Sequence, residues 1–545
     1  MTVQTDFIKF SVCDLLKKGI GSSSSHTLAP WRSAMACYDA LATGGWLADL
    51  EAVSVTLYGS LAFVGRGHYT TIAIPLGLLG KDVMTFDVSS QLKATLGIPS
   101  ITDIAQLSSL AYPGGPTVAY QLIFDTREDT DKEKMVFRFT YRDGAPASGR
   151  PDELTYYSYG GGSYGTAPVM QPLYQALTSL PVEYVDAATL VAAAPGDLCE
   201  AIMQNEEAFA QYRKAHPDPA QPGLPTDRAG VVAYLQDIGL QMGTLIYDGV
   251  TYADDDDCYK VMFATPRAKT LYRNLIGDRA DTSTQEAFFR SLRRLSRDFS
   301  FEQQLDLVSL FALAVSEQNG ALKHVVTAPT NGSCGTVPAV LYHYIVTQAD
   351  EDEIDWLFGR TPGTALNGIL RFLIIASTVG GIVKSNANIS GGVGGCQAEV
   401  GTSGAMAAGG LAHLLGGNNN IITFNAAEAS LEDQLGSTCD PVGGLVELPC
   451  IDRNLSAAIV AVTVAQAMAK LGTAFVSDIP FDKAVTAMQQ ISENMNDQYK
   501  ETSTGGLALV MQDEVKARRP DLFPPTRELC TARSHMRISL SRTTC

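Results

Sequence analysis

The periodicity of the chain changes once, near Gly196, and that change limits the folds open to it. Upstream, apolar residues alternate: Val53, Val55 and Leu57 fall on one side of a strand, and Val118, Tyr120, Leu122 and Phe124 repeat the pattern. Downstream the spacing is helical. Over Phe301 to Asn319, the residues Leu305, Val308, Phe311, Ala312 and Val315 form one stripe, which Gly320 ends. This predicts an α+β N-terminal domain over residues 1–180 and a mainly all-α C-terminal domain over 196–515, joined by a linker at 181–195 that holds a short helix. A chain of 545 residues can bury two such cores. The charged or Pro-rich segments 128–134 and 215–227 are expected to be surface loops without chemistry, and the basic stretch 516–545 a mobile tail.

Composition narrows the partners. A net charge of −18 and a pI near 4.8 repel nucleic acid and anionic membrane surfaces, which leaves a small molecule as the expected ligand. The acidic runs Asp254 to Asp257 and Asp350 to Asp355 lack the Gly and spaced ligands of a calcium loop and read as solvated. Charge-free stretches such as Val325 to Ala349 are broken by Pro, Asn and Thr, so no transmembrane helix is expected. No apolar signal segment is read at the start, and the expected location is cytoplasmic. In a reducing compartment the ten cysteines are ligands or packing groups, not a disulfide framework.

Three cysteines fall in Gly- or Pro-punctuated turns: Cys396 in GGVGGCQAEVG, Cys439 in GSTCDPVGG and Cys450 in ELPCIDRN. Each is expected at a helix end, where the dipole stabilises a thiolate and Gly leaves room for a bulky inorganic cluster. Their spacing matches neither ferredoxins nor zinc knuckles, so spacing alone also admits ordinary buried cysteines. Of seven histidines, His26 follows a serine run and His68 lies in GRGHYT. The run Ser22 to Ser25 can offer hydroxyls and N–H groups to a carboxylate, with a helix starting near Thr27 or Ala29; a flexible turn is the alternative. Thr330 and Asn331, between Pro329 and Gly332, could bind substrate or cap a helix.

The stretches CDPVGGLVELPCIDRN and GCQAEVGTSGAMAAGGLAHLLGG resemble the iron–sulfur L-serine dehydratases, and APTNGSCGTVPAVL resembles the Thr-Asn-Gly loop of that family. GIGSSSSHTLAPWRSA, LYGSLAFVGRGHYT, YYSYGGG and YKETSTGGLA agree, in family order. The resemblance implies that Cys396, Cys439 and Cys450 hold a [4Fe–4S] cluster, whose open iron would act as a Lewis acid on the serine hydroxyl. It points to His68 as the base, with His26 as second candidate, and to Ser24, Ser25, Thr330 and Asn331 near the substrate. It also implies an active site at the domain interface, a homodimer, and conversion of L-serine to pyruvate and ammonia through aminoacrylate without pyridoxal phosphate.

Cys334 stands where the family has a small residue and is expected only to pack. Family chains end shortly after Gly-Gly-Leu-Ala with a cysteine that enters the site. Here Leu-Val-Met-Gln-Asp-Glu follows Ala508, which leaves Cys545, with Cys530 upstream, as the possible tail ligand on a longer tether. Two other readings stay open: a pyridoxal-phosphate lyase using Lys384, which precedes SGGVGG, and a non-catalytic amino-acid-binding protein whose cysteines hold structural zinc or nothing.

Overall fold

The computed structural model describes residues 9–127, 133–142, 149–174, 177, 179–217 and 223–523. The alternating segments form a six-stranded mixed sheet in the order Ser109–Ala111, Thr117–Asp125, Leu50–Tyr58, Lys134–Tyr141, Glu153–Ser158 and Tyr164–Gly165. Leu50–Tyr58 runs parallel to Thr117–Asp125 and antiparallel to Lys134–Tyr141. Its Val53, Val55 and Leu57 are buried, as the alternation requires, against Ala34, Cys37 and Leu41 of the helix Ala29–Thr43 and Ile74 and Leu78 of Thr70–Leu78. An α+β unit is followed by a mostly helical one, as expected.

The chain start is stitched into the helical unit. Lys17–Ile20 pairs antiparallel with His324–Thr327, setting Lys17 opposite Thr327. The serine run therefore begins at the seam between the units: Gly21 N–H donates to Lys323 O at 2.8 Å, and Asn319 Nδ2 donates to Ser22 O at 2.6 Å. Gly21 is required there, since a Cβ would lie 2.2 Å from Asn319 O.

Small residues set the centre of the helical unit. The helix Thr402–Leu415, TSGAMAAGGLAHLL, packs among Gly368–Asn386, Asn420–Gln434 and Cys450–Leu471. A Cβ on Gly410 would meet the Phe372 ring at 3.0 Å, so the glycines are what let these helices approach closely. The predicted helix runs Phe301–Gly320 and opens with a capping box in which Ser300 and Gln303 satisfy each other's backbone N–H. Among the described residues two helices, Gly368–Asn386 and Cys450–Ala474, are long and apolar enough to cross a bilayer by length and composition, although charged residues interrupt both. The first is largely buried among its neighbours; the second keeps a broad exposed face.

Two loop expectations need correction. Residues 516–523 are not an appendage: Arg518 lies 4.2 Å from the Phe263 ring centre, and Arg519 donates to Val261 O at 2.7 Å while pairing with Asp521 at 2.8 Å. An aromatic face, a carbonyl and a carboxylate thus hold the first basic residues, and 524–545, with Cys530 and Cys545, lie outside the described residues. The segment at 128–134 is not wholly a surface loop: its Glu133 is buried at the seam and accepts from Ser390 Oγ at 2.9 Å.

Buried carboxyls give the fold a pH dependence. Burial pushes Glu317, which accepts the N–H groups of Arg267 and Ala268, up to about 7. Its folded pKa exceeds the unfolded one, so its stabilising contribution is full below about 4.5 and is lost as pH rises through about 7, costing at most about 3 kcal/mol. Thermal melts of Glu317→Gln are expected to lose part of the decline in melting temperature that the parent shows between pH 5 and pH 8; an unchanged decline would refute this assignment.

Candidate active site

Cys396 follows Gly395, whose φ of +75° turns the chain into the helical run Gln397–Gly401, and Cys450 is the first residue of Cys450–Leu471. Both sit at helix starts as expected. Cys439 does not: it lies in extended backbone, with its N–H donating to Tyr499 O and its carbonyl accepting from Glu501 N–H, each at 2.7 Å. The three sulfurs nevertheless meet. Hydrogen bonds from Cys439 and Cys450 hold the Cys396 thiol well below its usual range, and Arg453 Nη1 adds a contact at 3.0 Å. All eight described cysteines are free and buried. The same hydrogen bonds to Cys396, together with burial, push Cys439 and Cys450 up, so the three buried sulfurs form one mutually bonded donor set of the kind that fits an iron–sulfur cluster.

Glu501 joins this cluster to the histidines. Its Oε1 lies 2.9 Å from His68 Nε2 and its Oε2 3.7 Å from His26 Nδ1. Ligand atoms of Glu501, Cys439 and Glu399 fall within 4.8 Å of one another, as do those of Glu501, His26 and His68. Burial, with Cys396 nearby, raises Glu501 to about 8; burial and then Glu501 itself raise Glu399. Burial lowers His68 to about 4, and burial followed by the neighbouring His68 lowers His26. Neutral imidazoles thus face a protonated carboxyl. His68 Nδ1 lies 3.2 Å from Val64 O, which fixes a proton there and leaves Nε2 as an acceptor for Glu501. His26 is held between Ser25 Oγ at 2.8 Å and Ser60 Oγ at 2.9 Å.

The other predicted residues line the same seam. Ser24 and Ser25 belong to a π-type turn, Ser24–Leu28, that runs directly into Ala29–Thr43. Thr330 hydrogen-bonds Glu399, and Asn331 Nδ2 donates to Ile20 O at 2.6 Å. Asn454, one turn into the Cys450 helix, donates to Gly332 O at 2.7 Å and to Cys450 O, so the Thr-Asn-Gly loop is fastened to a cysteine. Buried polar atoms without partners gather on these loops: Ser22 Oγ, Ser24 Oγ, Asn319 Oδ1, Asn331 Oδ1 and Glu501 Oε2. Such atoms are costly unless a ligand meets them. Gly391 and Gly392 keep the wall thin, because a Cβ on either would approach the carboxylates of Glu399, Glu501 or Glu133.

This geometry coincides with a family match over most of the chain. Residues 11–167 match the description "Serine dehydratase beta chain" and residues 197–508 match "Serine dehydratase alpha chain". The chain belongs to the serine dehydratase family. It is 34% identical to L-serine dehydratase 2 of Escherichia coli over 507 residues, covering 92% of this chain and 98% of that protein. It is likewise 34% identical to the L-serine dehydratase of Mycobacterium tuberculosis over 521 residues (92% and 97%) and to that of Streptomyces coelicolor over 512 (92% and 98%). Relatives of this chain are thus named for a lyase reaction.

Sequence reasoning missed Glu501, Glu399, Ser60 and Arg453. Glu501 and Glu399 stand inside the quoted motifs YKETSTGGLA and GCQAEVG, and an acid in a Gly-rich motif was the available signal. Lys384 of the rival reading packs 4.7 Å from the Phe10 ring centre and is not among the groups that meet at Glu501.

Proposed function

We propose that this serine dehydratase converts L-serine to pyruvate and ammonia at the seam between its two units. The observation that carries the reading is the meeting, at Glu501, of a three-cysteine cluster and a histidine pair. Cys396, Cys439 and Cys450 would hold a [4Fe–4S] cluster, which when bound supplies a Lewis acid that weakens the bond to the serine hydroxyl. The unpartnered Ser24 and Asn331 atoms bind the polar ends of serine. His68, neutral and with its proton fixed at Nδ1, takes the Cα proton at Nε2. Glu501 gives its proton to the departing hydroxyl, which leaves as water, and the resulting carboxylate stabilises the imidazolium 2.9 Å away. The proton then returns from His68 to Glu501, and released aminoacrylate tautomerises and hydrolyses to pyruvate and ammonia. A coupled pyruvate assay with L-serine, run anaerobically on the iron-loaded protein, tests the reading; no pyruvate above background would refute it.

The location is cytoplasmic in this reading, where free buried thiols persist. The working form is a homodimer. Its support is an exposed apolar run at the end of the Cys450 helix, Leu471, Phe475, Val476 and Ile479, which water disfavours and a second copy can cover. Leu471→Asp with Val476→Asp is expected to convert a dimer to a monomer in sedimentation velocity; a parent that sediments as a monomer would contradict it.

A further inference from the structure

Outside the candidate active site, two cationic side chains from two elements meet at one glycine loop, and a third, Lys17, lies near enough to feel the charge of both. Arg32 stands in the first turn of Ala29–Thr43, Lys17 opens Lys17–Ile20, and Lys384 lies in the last turn of Gly368–Asn386. Arg32 Nη1 donates to Gly162 O at 3.2 Å. The Lys384 ammonium lies 3.5 Å from where a Cβ on Gly161 would stand. Among the described residues, the Lys17 ammonium has no hydrogen-bond or ion-pair partner, and Lys384 has only the Phe10 ring. Asp14 is the one acid that acts on both lysines, yet its Oδ2 is already engaged by Ser11 N–H and Tyr174 Oη, each at 2.9 Å.

Half-buried cations beside one another are unfavourable without a counter-charge. Burial lowers Lys384 to about 8, and burial followed by Lys384 and Arg32 lowers Lys17. The loop beside Arg32 and Lys384 is itself unusual. Gly160, Gly161 and Gly162 have φ of +80°, +58° and +71°, and their N–H groups find no backbone acceptor among the described residues. Successive N–H groups in such turns form a concavity suited to anions. Side chains are excluded: a Cβ on Gly162 would meet Leu28 at 2.5 Å.

We propose that Lys17, Arg32 and Lys384, with the Gly160 to Gly162 loop, form a binding site for a small oxyanion, a carboxylate or inorganic phosphate, at the seam between the two units. Gly161 lies 3.2 Å, by its would-be Cβ, from Pro329 O beside Thr330, and Gly160 packs on Ser390. An anion held there clamps a loop of the first unit onto the wall of the active site.

Isothermal titration of the full-length holoprotein at constant ionic strength, with inorganic phosphate and separately with acetate, tests this. Saturable binding of at least one is expected, with an accompanying rise in melting temperature. Phosphate alone would assign inorganic phosphate; acetate, with or without phosphate, would assign a carboxylate. Lys384→Gln and Lys17→Gln should each weaken binding about tenfold, the loss of one charge-assisted contact. Lys18→Gln, which removes the 2.7 Å pair with Asp237 on the exposed side, should leave it unchanged. Arg32→Gln serves if either lysine variant fails to fold by circular dichroism. Absence of saturable binding, or binding that survives the folded variants, overturns the proposal.

Discussion

Replacing Cys396, Cys439 or Cys450 with Ser is expected to lower pyruvate formation from L-serine by at least about a thousandfold and to strip iron from the purified chain. The three sulfurs converge although they come from a turn after Gly395, an extended segment held to Tyr499 and Glu501, and the start of a helix. A hydroxyl in any of these places is a poor iron ligand. Cys334→Ser is the control: that residue is buried against the helices, and its substitution should leave iron content and rate within about threefold of the parent. Iron analysis and anaerobic turnover of the four variants decide the matter. If a cysteine variant keeps both iron and rate, the ligand assignment is wrong at that position.

The second large effect is expected at the histidine and carboxyl pair. His68→Asn should lower kcat by about 10²- to 10⁴-fold, as removal of a general base does, with KM for serine changed little. Glu501→Gln should lower kcat within the same range, since an amide cannot supply the leaving-group proton. His26→Asn should cost less, because His26 is held by Ser25 and Ser60 and supports the turn rather than carrying a proton. Iron content of each variant is measured alongside, so that a lost cluster is not mistaken for lost proton transfer. A full rate in His68→Asn with iron retained would move the base elsewhere, with His26 next in line.

The contrast between strand and helix periods was legible because each unit buries one face of most elements: Val53, Val55 and Leu57 declare a sheet, and Leu305 to Val315 a helix. The cysteines were legible through their motifs, but not Cys439's setting. A parallel bridge between residues as distant as Cys439 and Lys500 leaves no local periodic trace. The same bridge delivers Glu501, and so the acid that ties the site together was seen only as part of a motif. Burial of a charge depends on what the rest of the fold places around it, and Glu133 shows this again: its neighbours in sequence are charged, while its own side chain reaches Ser390 across the seam. The tail was misread for a related reason. Arg518 and Arg519 look like solvated charges until Phe263, Val261 and Asp521 are brought beside them.

The most direct test of the central claim joins cofactor and reaction in one preparation: anaerobic purification, iron and acid-labile sulfide per chain, and pyruvate release from L-serine before and after exposure to air. The account predicts about four irons and about four sulfides per chain, the content of one [4Fe–4S] cluster, with pyruvate formation that is lost in air together with the iron. Pyruvate formation by an iron-free chain, or an iron-loaded chain that leaves L-serine untouched, would contradict it.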